Sequence, residues 1–403
     1  MKQLRDYDIA AVARIHALPP MAGDFANAAE VARKAQPDEP LFCFSKAELI
    51  GRARLFLDQF PGETAYAVKC NAGEHVIAGL MEAGVKVFDV ASVEEMAGMS
   101  AIFPAAEFHY HNPIKSRREI LRAYEAFGCR RFAVDDASEI EKIREVTGGG
   151  ADIEIAVRFR LPRLGGSSAH DFSTKFGATR DEAADLLQQV VASGMKPCLT
   201  FHPGSQCVNP QAYVRHIQAA RQISLAACVR LYRLNVGGGF PAQYMGDDVP
   251  ELAVFFEAIA GAVRENFGDE APALECEPGR GIVATSTSLL AQVKAVKPGR
   301  LEVFLNDGIY GALMEISQVP DIVPPHRVIR QAQGVESGET AEFTLYGPTC
   351  DPLDRLPVRF ELPCDIAEGD YVEFGRLGAY GAATSTRFNG YAPAAIVPVD
   401  QVL

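Results

Sequence analysis

From residue 45 onward two hydrophobic periods alternate along the chain, and this alternation restricts the fold more than any motif does. Apolar residues three and four apart, the helical period, mark SKAELIGRARLFLDQF, EHVIAGLMEAG, KSRREILRAYEAFG, ASEIEKIREVTG, DEAADLLQQVVASG, QAYVRHIQAARQISLAA and ELAVFFEAIAGAVRENF. Several follow Ser, Thr, Asp or Pro and stop at Gly, as capped helices do. Between them lie eight β-rich runs: AYAVKC, VKVFDV, EFHYHN, RRFAVD, IEIAVRFR, CLTFHP, LYRLNV and ALECEP. Strands joined by helix-length segments pair in parallel through right-handed crossovers. Eight of them over about 240 residues match a (β/α)8 TIM-like barrel. A doubly wound open sheet is the alternative, because periodicity does not show closure.

The strand ends favour the barrel. Lys69, Asp89, His111 with Asn112, Asp135 with Asp136, Arg158, His202, Gly237 to Gly239, and Glu277 with Arg280 all sit where these runs finish. A barrel gathers its binding and catalytic groups on that rim. After about residue 285 the texture becomes strands punctuated by Gly, Pro and Asp: SLLAQVKAVKP, RLEVFLNDG, EFTLYGP, PVRFEL, DYVEFGRLG and AAIVPV. The expected division is a barrel over residues 40–284 and a mostly β domain from 285–403, completed by 1–39. No low-complexity linker separates them, so a packed boundary is expected.

Composition narrows the function class. A chain of 403 residues with 48% hydrophobic and 23% charged residues builds a substantial core. Its net charge of -13 argues against nucleic-acid binding, which uses a basic surface. Nine cysteines without a C-x-x-C pair fit a reducing compartment and provide no cysteine zinc site, and no metal constellation emerges by spacing. The N-terminus lacks a signal-length apolar run, and no stretch reaches the roughly 20 apolar residues of a membrane span. The expected location is the cytoplasm.

The chemistry-bearing stretches lie on the barrel rim and in one later loop. A lysine ending a buried strand, as Lys69 ends AYAVKC, ordinarily lays its stem on the core with its ammonium in water. Alternatively it is paired or covalently used. VGGGFP ends the seventh run in three glycines whose bare N–H groups can approach an anion, although the stretch also reads as a tight turn. ECEPGRGI presents Glu277 and Arg280, which suit a surface ion pair or, alternatively, a protonated ring nitrogen and a phosphate. FHPGSQ supplies His202 and Ser205. GPTCDPLD carries Cys350 beside Asp351 and Asp354, a thiol in an acidic turn that could serve as an acid.

An amine, an anion cradle and a carboxylate for a ring nitrogen are together what pyridoxal 5'-phosphate requires. The ordered set AYAVKCN, FDVAS, FHPGSQ, VGGGFP, ECEPGR, NDGIYG, GPTCDPLD and LGAYGAATSTRFNG resembles the alanine-racemase-fold pyridoxal-phosphate enzymes. Within them it is most similar to the ornithine decarboxylase family, over roughly residues 40 to 395.

That resemblance implies that Lys69 carries the cofactor as a Schiff base, His202 stacks on its ring and Glu277 pairs with the ring nitrogen. Ser205, Gly237, Gly238, Gly239, Arg280 and Tyr380 would hold the phosphate, with Asp89, Arg158 and Glu94 nearby. Cys350 would return a proton to Cα, and Asp351, with Tyr310, would take the distal ammonium of a diamino acid. In the family, Cys350 and Asp351 come from the partner subunit, so a homodimer with shared sites is implied. The activity implied is decarboxylation of a basic amino acid, with L-ornithine giving putrescine for polyamine synthesis. The alternatives are lysine, carboxynorspermidine, diaminopimelate or a modified amino acid as substrate, or a non-catalytic relative. One segment departs from the family pattern. After NDGIYG the chain reads ALMEISQVPDIVPPHRVIRQ, and neither Glu315 nor Asp321 falls where the family places a second acid for the distal amine.

Overall fold

A ring of eight parallel strands closes on itself in the computed structural model, which describes residues 18–162, 175–319, 321–331 and 338–403. In chain order the strands of the structure begin with β1 (Phe25–Asn27) and β2 (Leu41–Phe44). The ring follows: β3 (Glu63–Ala67), β4 (Val87–Val90), β5 (Glu107–Tyr110), β6 (Arg131–Val134), β7 (Glu154–Arg158), β8 (Lys196–Thr200), β9 (Arg233–Asn235) and β10 (Ala273–Cys276). Closure is made by β10 on β3, with Glu275 opposite Glu63 and Cys276 opposite Thr64. This register excludes the open sheet. Each of the eight β-rich runs contributes one strand to the ring.

Helices join the strands, and local chemistry sets several of their starts. Ser116 with Glu119 and Thr179 with Glu182 form reciprocal capping boxes at Arg117–Ala126 and Arg180–Ala192. Each capping contact stabilises its helix by about 1 kcal/mol. A helix at Val93–Ile102 lies in a segment without a clean apolar stripe; the Ser92 hydroxyl starts it by accepting from the Glu95 N–H.

The N-terminal end of the barrel is filled by charge rather than by aliphatic side chains. Glu63, Arg131, Glu154 and Arg233 open their strands, with Glu275 opposite Glu63 and His109 opposite Arg131. Arg233 reaches Glu154 at 3.0 Å and Glu63 at 3.3 Å, while Arg131 contacts Glu63 and lies 3.5 Å from Glu154. An arginine can only donate, so Arg131 on Nε2 of His109 leaves the imidazole proton on Nδ1, which donates to Glu275 at 2.6 Å. The small buried side chains of Ala133, Ala156 and Cys198 pack together inside the ring. An alternating set like this satisfies its members only as a group, which fixes strand register.

On the outside, an aromatic cluster holds one rim loop. Phe240, directly after the three glycines, lies 5.3 Å from Phe56, 5.8 Å from Phe256 and 5.1 Å from Tyr213, centroid to centroid. Each fully buried aromatic ring contributes about 1.5–3 kcal/mol. The Tyr213 hydroxyl donates to the Gly238 carbonyl at 2.8 Å, joining the helix Gln211–Ala227 to the glycine turn.

The barrel belongs to a compact unit formed by residues 53–241 and 248–281; residues 16–52, 242–247 and 282–403 form a second. The second unit is a mixed sheet that adds β11 (Thr287–Lys297), β12 (Glu302–Leu305), β13 (His326–Ile329), β14 (Thr340–Tyr346), β15 (Arg355–Pro363), β16 (Tyr371–Phe374) and β17 (Ala395–Gln401). Its order is β1-β17-β2-β11-β12-β14-β15, and β16 pairs with β11 and β13. Leu41, Cys43, Leu290, Tyr371 and Val397 pack there against Ala28, Val31 and Ala32 of the helix Ala28–Ala35.

Candidate active site

The C-terminal rim of the barrel collects the polar groups that the strand ends promised. β3 stops at Ala67, and Lys69 sits in a single 3-10 turn, Val68–Cys70, rather than on the strand itself. The turn is fixed where the Ala67 N–H bonds the Pro278 carbonyl and the Asn71 N–H bonds that of Val68. The Lys69 side chain is 49% exposed, with Nζ 3.6 Å from Oδ2 of the buried Asp89. The amine is therefore presented at the rim, not submerged.

Asp89, His111 and Glu277 bring a carboxylate oxygen, a ring nitrogen and a second carboxylate oxygen within 4.8 Å of one another. Nδ1 of His111 contacts Oε1 of Glu277, and the Asn235 amide donates to the same oxygen at 2.6 Å and to Glu275 at 2.9 Å. Burial pulls the His111 pKa down, but the charge and hydrogen bond of Glu277, then Glu275 and Asp89, outweigh it and raise the group to about 9. Burial pushes Glu277 up, yet His111 first, then Lys69 and Asn235, hold its carboxyl well below the ordinary range. Burial and the Glu277 charge raise Asp89 to about 6 despite Lys69. At neutral pH this end of the barrel holds an imidazolium–carboxylate pair.

His202 is different. Burial first, then the charges of Lys69 and Arg158, lower its pKa to about 3, so the ring is neutral. Nδ1 accepts from the Gly204 N–H at 3.0 Å, which puts the proton on Nε2. Arg158 ends β7, with its guanidinium 5.4 Å over the Phe176 ring. Ser205 and Arg280 are buried.

The glycine turn is conformationally specific. Gly237 and Gly239 have φ of +68° and +90°, which side chains rarely adopt. A Cβ on Gly237 would meet the Phe201 carbonyl at 2.1 Å; on Gly238 it would stand 2.6 Å from the Glu277 carbonyl and 3.2 Å from Nε2 of His202. Glycine alone therefore lets the ends of β8, β9 and β10 close together and keeps that side of the imidazole clear.

The second unit carries the other predicted residues. The Tyr310 hydroxyl donates to Oδ2 of Asp351 at 2.5 Å, and the Leu353 N–H donates to Oδ1 at 2.9 Å. Tyr310 first, then Leu353, holds the Asp351 carboxyl below its ordinary value. Cys350 is exposed, with its thiol 3.4 Å from Oδ1 of Asn389. Buried Asp354 ties the loop down by accepting from the Thr349 hydroxyl at 2.7 Å and from the N–H groups of Thr349 and Ile309 at 3.0 Å. Tyr380 has φ +61°, and its carbonyl accepts from the Thr384 hydroxyl at 2.7 Å. Glu94 lies in the first turn of Val93–Ile102, and Glu315 is buried in the short helix Met314–Gln318.

Asn235 is the site neighbour that sequence reasoning did not place on the rim; His111 was placed there by its strand end, but without a role. The available signal was an uncompensated polar residue at the end of a buried strand, at the register where Asp89 and Glu277 point inward.

The pyridoxal-binding domain model of the pyridoxal-dependent decarboxylases matches residues 46–284. The lysine/ornithine decarboxylase of Selenomonas ruminantium is 33% identical over 334 residues, covering 81% of this chain and 80% of that protein. Among solved structures, the Paramecium bursaria Chlorella virus arginine decarboxylase bound to agmatine superposes with a TM-score of 0.79 at 25% identity, covering 93% of this chain and 98% of that one. The Vibrio vulnificus lysine/ornithine decarboxylase complexed with putrescine gives 0.77 at 28% identity, covering 94% and 99%.

Proposed function

This chain belongs to the ornithine decarboxylase family of pyridoxal-phosphate-dependent decarboxylases, and from that premise we propose that its substrate is L-ornithine. The enzyme class and the cofactor follow from membership: a decarboxylase of basic amino acids that uses pyridoxal 5'-phosphate. The product would be putrescine, for polyamine synthesis, and nine cysteines with none in a disulfide favour a cytoplasmic setting.

The residues on the barrel rim fit that cofactor. A glycine turn whose added Cβ would crowd His202, a buried carboxylate held ionised and a rim amine answer its phosphate, its ring nitrogen and its aldehyde. Bound, it supplies an electron sink for the pair left on Cα when carbon dioxide departs. Lys69 would hold the cofactor covalently and give it up to the substrate amine, with Asp89 beside Nζ keeping the ammonium oriented. Glu277 would hold the proton at the ring nitrogen. Neutral His202 would lie against the ring face without adding a competing charge. Ser205, the Gly237–Gly239 turn, Arg280 and Tyr380 would bind the phosphate, with Arg158 adding positive charge to the rim.

Asp351 would take the distal ammonium of the substrate, with Tyr310 fixing its oxygen. Cys350 would place a proton on Cα from the face its loop occupies. Both residues would serve the barrel of a second copy, so the working unit is a homodimer. The observation that carries ornithine is the Asp351 carboxylate, ionised and aimed by a 2.5 Å hydrogen bond: a receptor for one ammonium group.

A second reading rests on the segment after NDGIYG, where Val319 is buried and apolar and Glu315 is buried in its own helix. If neither Glu315 nor Asp321 serves the distal amine, another basic amino acid such as lysine, carboxynorspermidine or diaminopimelate becomes the substrate. Carbon dioxide release by the cofactor-loaded protein, compared across L-ornithine, L-lysine, L-arginine, diaminopimelate and carboxynorspermidine, separates the two. The highest kcat/KM on ornithine supports the first reading, and a tenfold preference for any other substrate overturns it.

A further inference from the structure

We propose that His111 is a positioning residue which, as an imidazolium, shares the Glu277 carboxylate with the ring nitrogen of the bound cofactor and limits how firmly that nitrogen keeps its proton. The proposal rests on the reading of Glu277 as the ring-nitrogen partner and adds a second cation to that site.

The geometry comes first. His111 Nδ1 and the Asn235 amide both engage Oε1 of Glu277, which leaves Oε2 as the oxygen that neither uses. A carboxylate clamped through one oxygen cannot rotate freely, so the direction of the other is fixed as well. The loop that carries His111 is itself clamped. Buried Lys115 donates from one ammonium to the carbonyls of Asn112 at 2.8 Å, Pro113 at 3.0 Å and Ala133 at 2.5 Å, tying the end of β5 to β6.

The electrostatics follow from the neighbours on every side. Facing His111 are Glu277 and Glu275 with β10, Asp89 on β4, Asn235 on β9 and His109 two residues earlier on its own strand, with ring centroids 5.5 Å apart. Lys69 and Arg158 add positive charge at this end, and Glu95 beside Asp89 and Asp135 beside Arg158 add negative charge. The acids dominate, so His111 carries its proton at neutral pH. Glu277 then answers an imidazolium before any ligand arrives, and a carboxylate already paired attracts a second cation less strongly. Without His111 the full charge of Glu277 would be spent on the ring nitrogen. The residue thus tempers the electron sink rather than building it.

The test is the 15N resonance of ring-labelled pyridoxal phosphate in the holoenzyme, followed from pH 6 to pH 10. In His111→Asn, which keeps a hydrogen-bond donor but no charge, and in His111→Ala, the ring nitrogen should hold its proton about tenfold more tightly than in the native protein. In the native enzyme the resonance should move toward the protonated position as rising pH removes the imidazolium proton, against the direction of simple titration. That native-enzyme observation needs no variant to fold. Steady loss of the ring proton with no such reversal, or a resonance unchanged in both variants, overturns the proposal. Glu277→Gln separates the two levels of argument. If it leaves the ring nitrogen untouched, Glu277 is not its partner and the underlying reading fails; if it moves the resonance while the His111 variants do not, only the role of His111 falls.

Discussion

The Tyr310 hydroxyl stands 2.5 Å from Oδ2 of Asp351 and, with the Leu353 N–H on the other oxygen, fixes the plane of that carboxylate. Tyr310→Phe frees one oxygen without removing its charge. For a diamino acid bound through its distal ammonium, KM should rise about tenfold, the worth of one charged hydrogen bond, while kcat changes little. Steady-state kinetics decide it: an unchanged KM would remove Tyr310 from the substrate site.

Lys69→Ala removes the amine proposed to bind the cofactor covalently. Borohydride treatment of the loaded native protein should fix one cofactor per chain, visible by mass, and should fix none in the variant. Activity should fall by at least about 10³-fold, as expected when a covalent-catalysis group is deleted. A reduced cofactor still attached to the variant would identify a different lysine.

Gly238→Ala puts a Cβ 2.6 Å from the Glu277 carbonyl. Strand β10 and the turn must separate, at about 1–3 kcal/mol of stability. Cofactor affinity measured by equilibrium dialysis should fall by more than the about tenfold that one misplaced hydrogen bond accounts for. Native affinity in this variant would remove the turn from the phosphate site.

Cys350→Ala acts after carbon dioxide has left. The thiol is exposed and contacts the Asn389 side chain, so the fold should be unaffected. Cofactor absorbance should match the native protein, while amine formation drops by about 10²-fold or yields wrongly protonated product, read by running the reaction in deuterium oxide. Full rate with clean product would assign the acid elsewhere.

His111 also couples folding to pH. Its pKa is raised from 6.5 to about 9, so the folded state binds the proton more tightly than the unfolded chain does. The stabilisation is fully present below about pH 6.5 and is lost as the pH rises through about 9, at most about 3 kcal/mol. Urea unfolding between these limits should show the decline in the native protein and a flatter profile in His111→Asn. Parallel profiles would show that the imidazole is not held as a cation.

The sequence made the barrel legible because each strand and most helices carry their own period and caps within a dozen residues. Lys69, His202, Glu277 and the three glycines were legible for the same reason: each stands at the end of a countable strand. The pairing of His111 with Glu277 was not, since 166 residues separate them and only closure of β10 on β3 brings their strands to one interior. The helix Val93–Ile102 escaped notice because VEEMAGMSAI mixes small, acidic and apolar residues without a stripe, and its start depends on the Ser92 side chain. Strand β13, HRVI, is not among the runs counted from the sequence: it is four residues long, and its pairing is with β16 from His326 to Ile329.

The charged floor of the barrel has a consequence for how this protein can change by descent. Glu63, Glu154 and Glu275 are each answered by Arg131, Arg233 or His109, and most answer more than one neighbour. Removing a partner of the buried Glu154 or Glu275 leaves a carboxylate short of its counter-charge, at up to about 3–5 kcal/mol, a large share of what a domain has to spare. A lineage cannot leave this arrangement one substitution at a time without passing through a poorly folded ancestor. Members of the set should therefore be inherited together or exchanged together, even where the rim above them drifts toward new substrates.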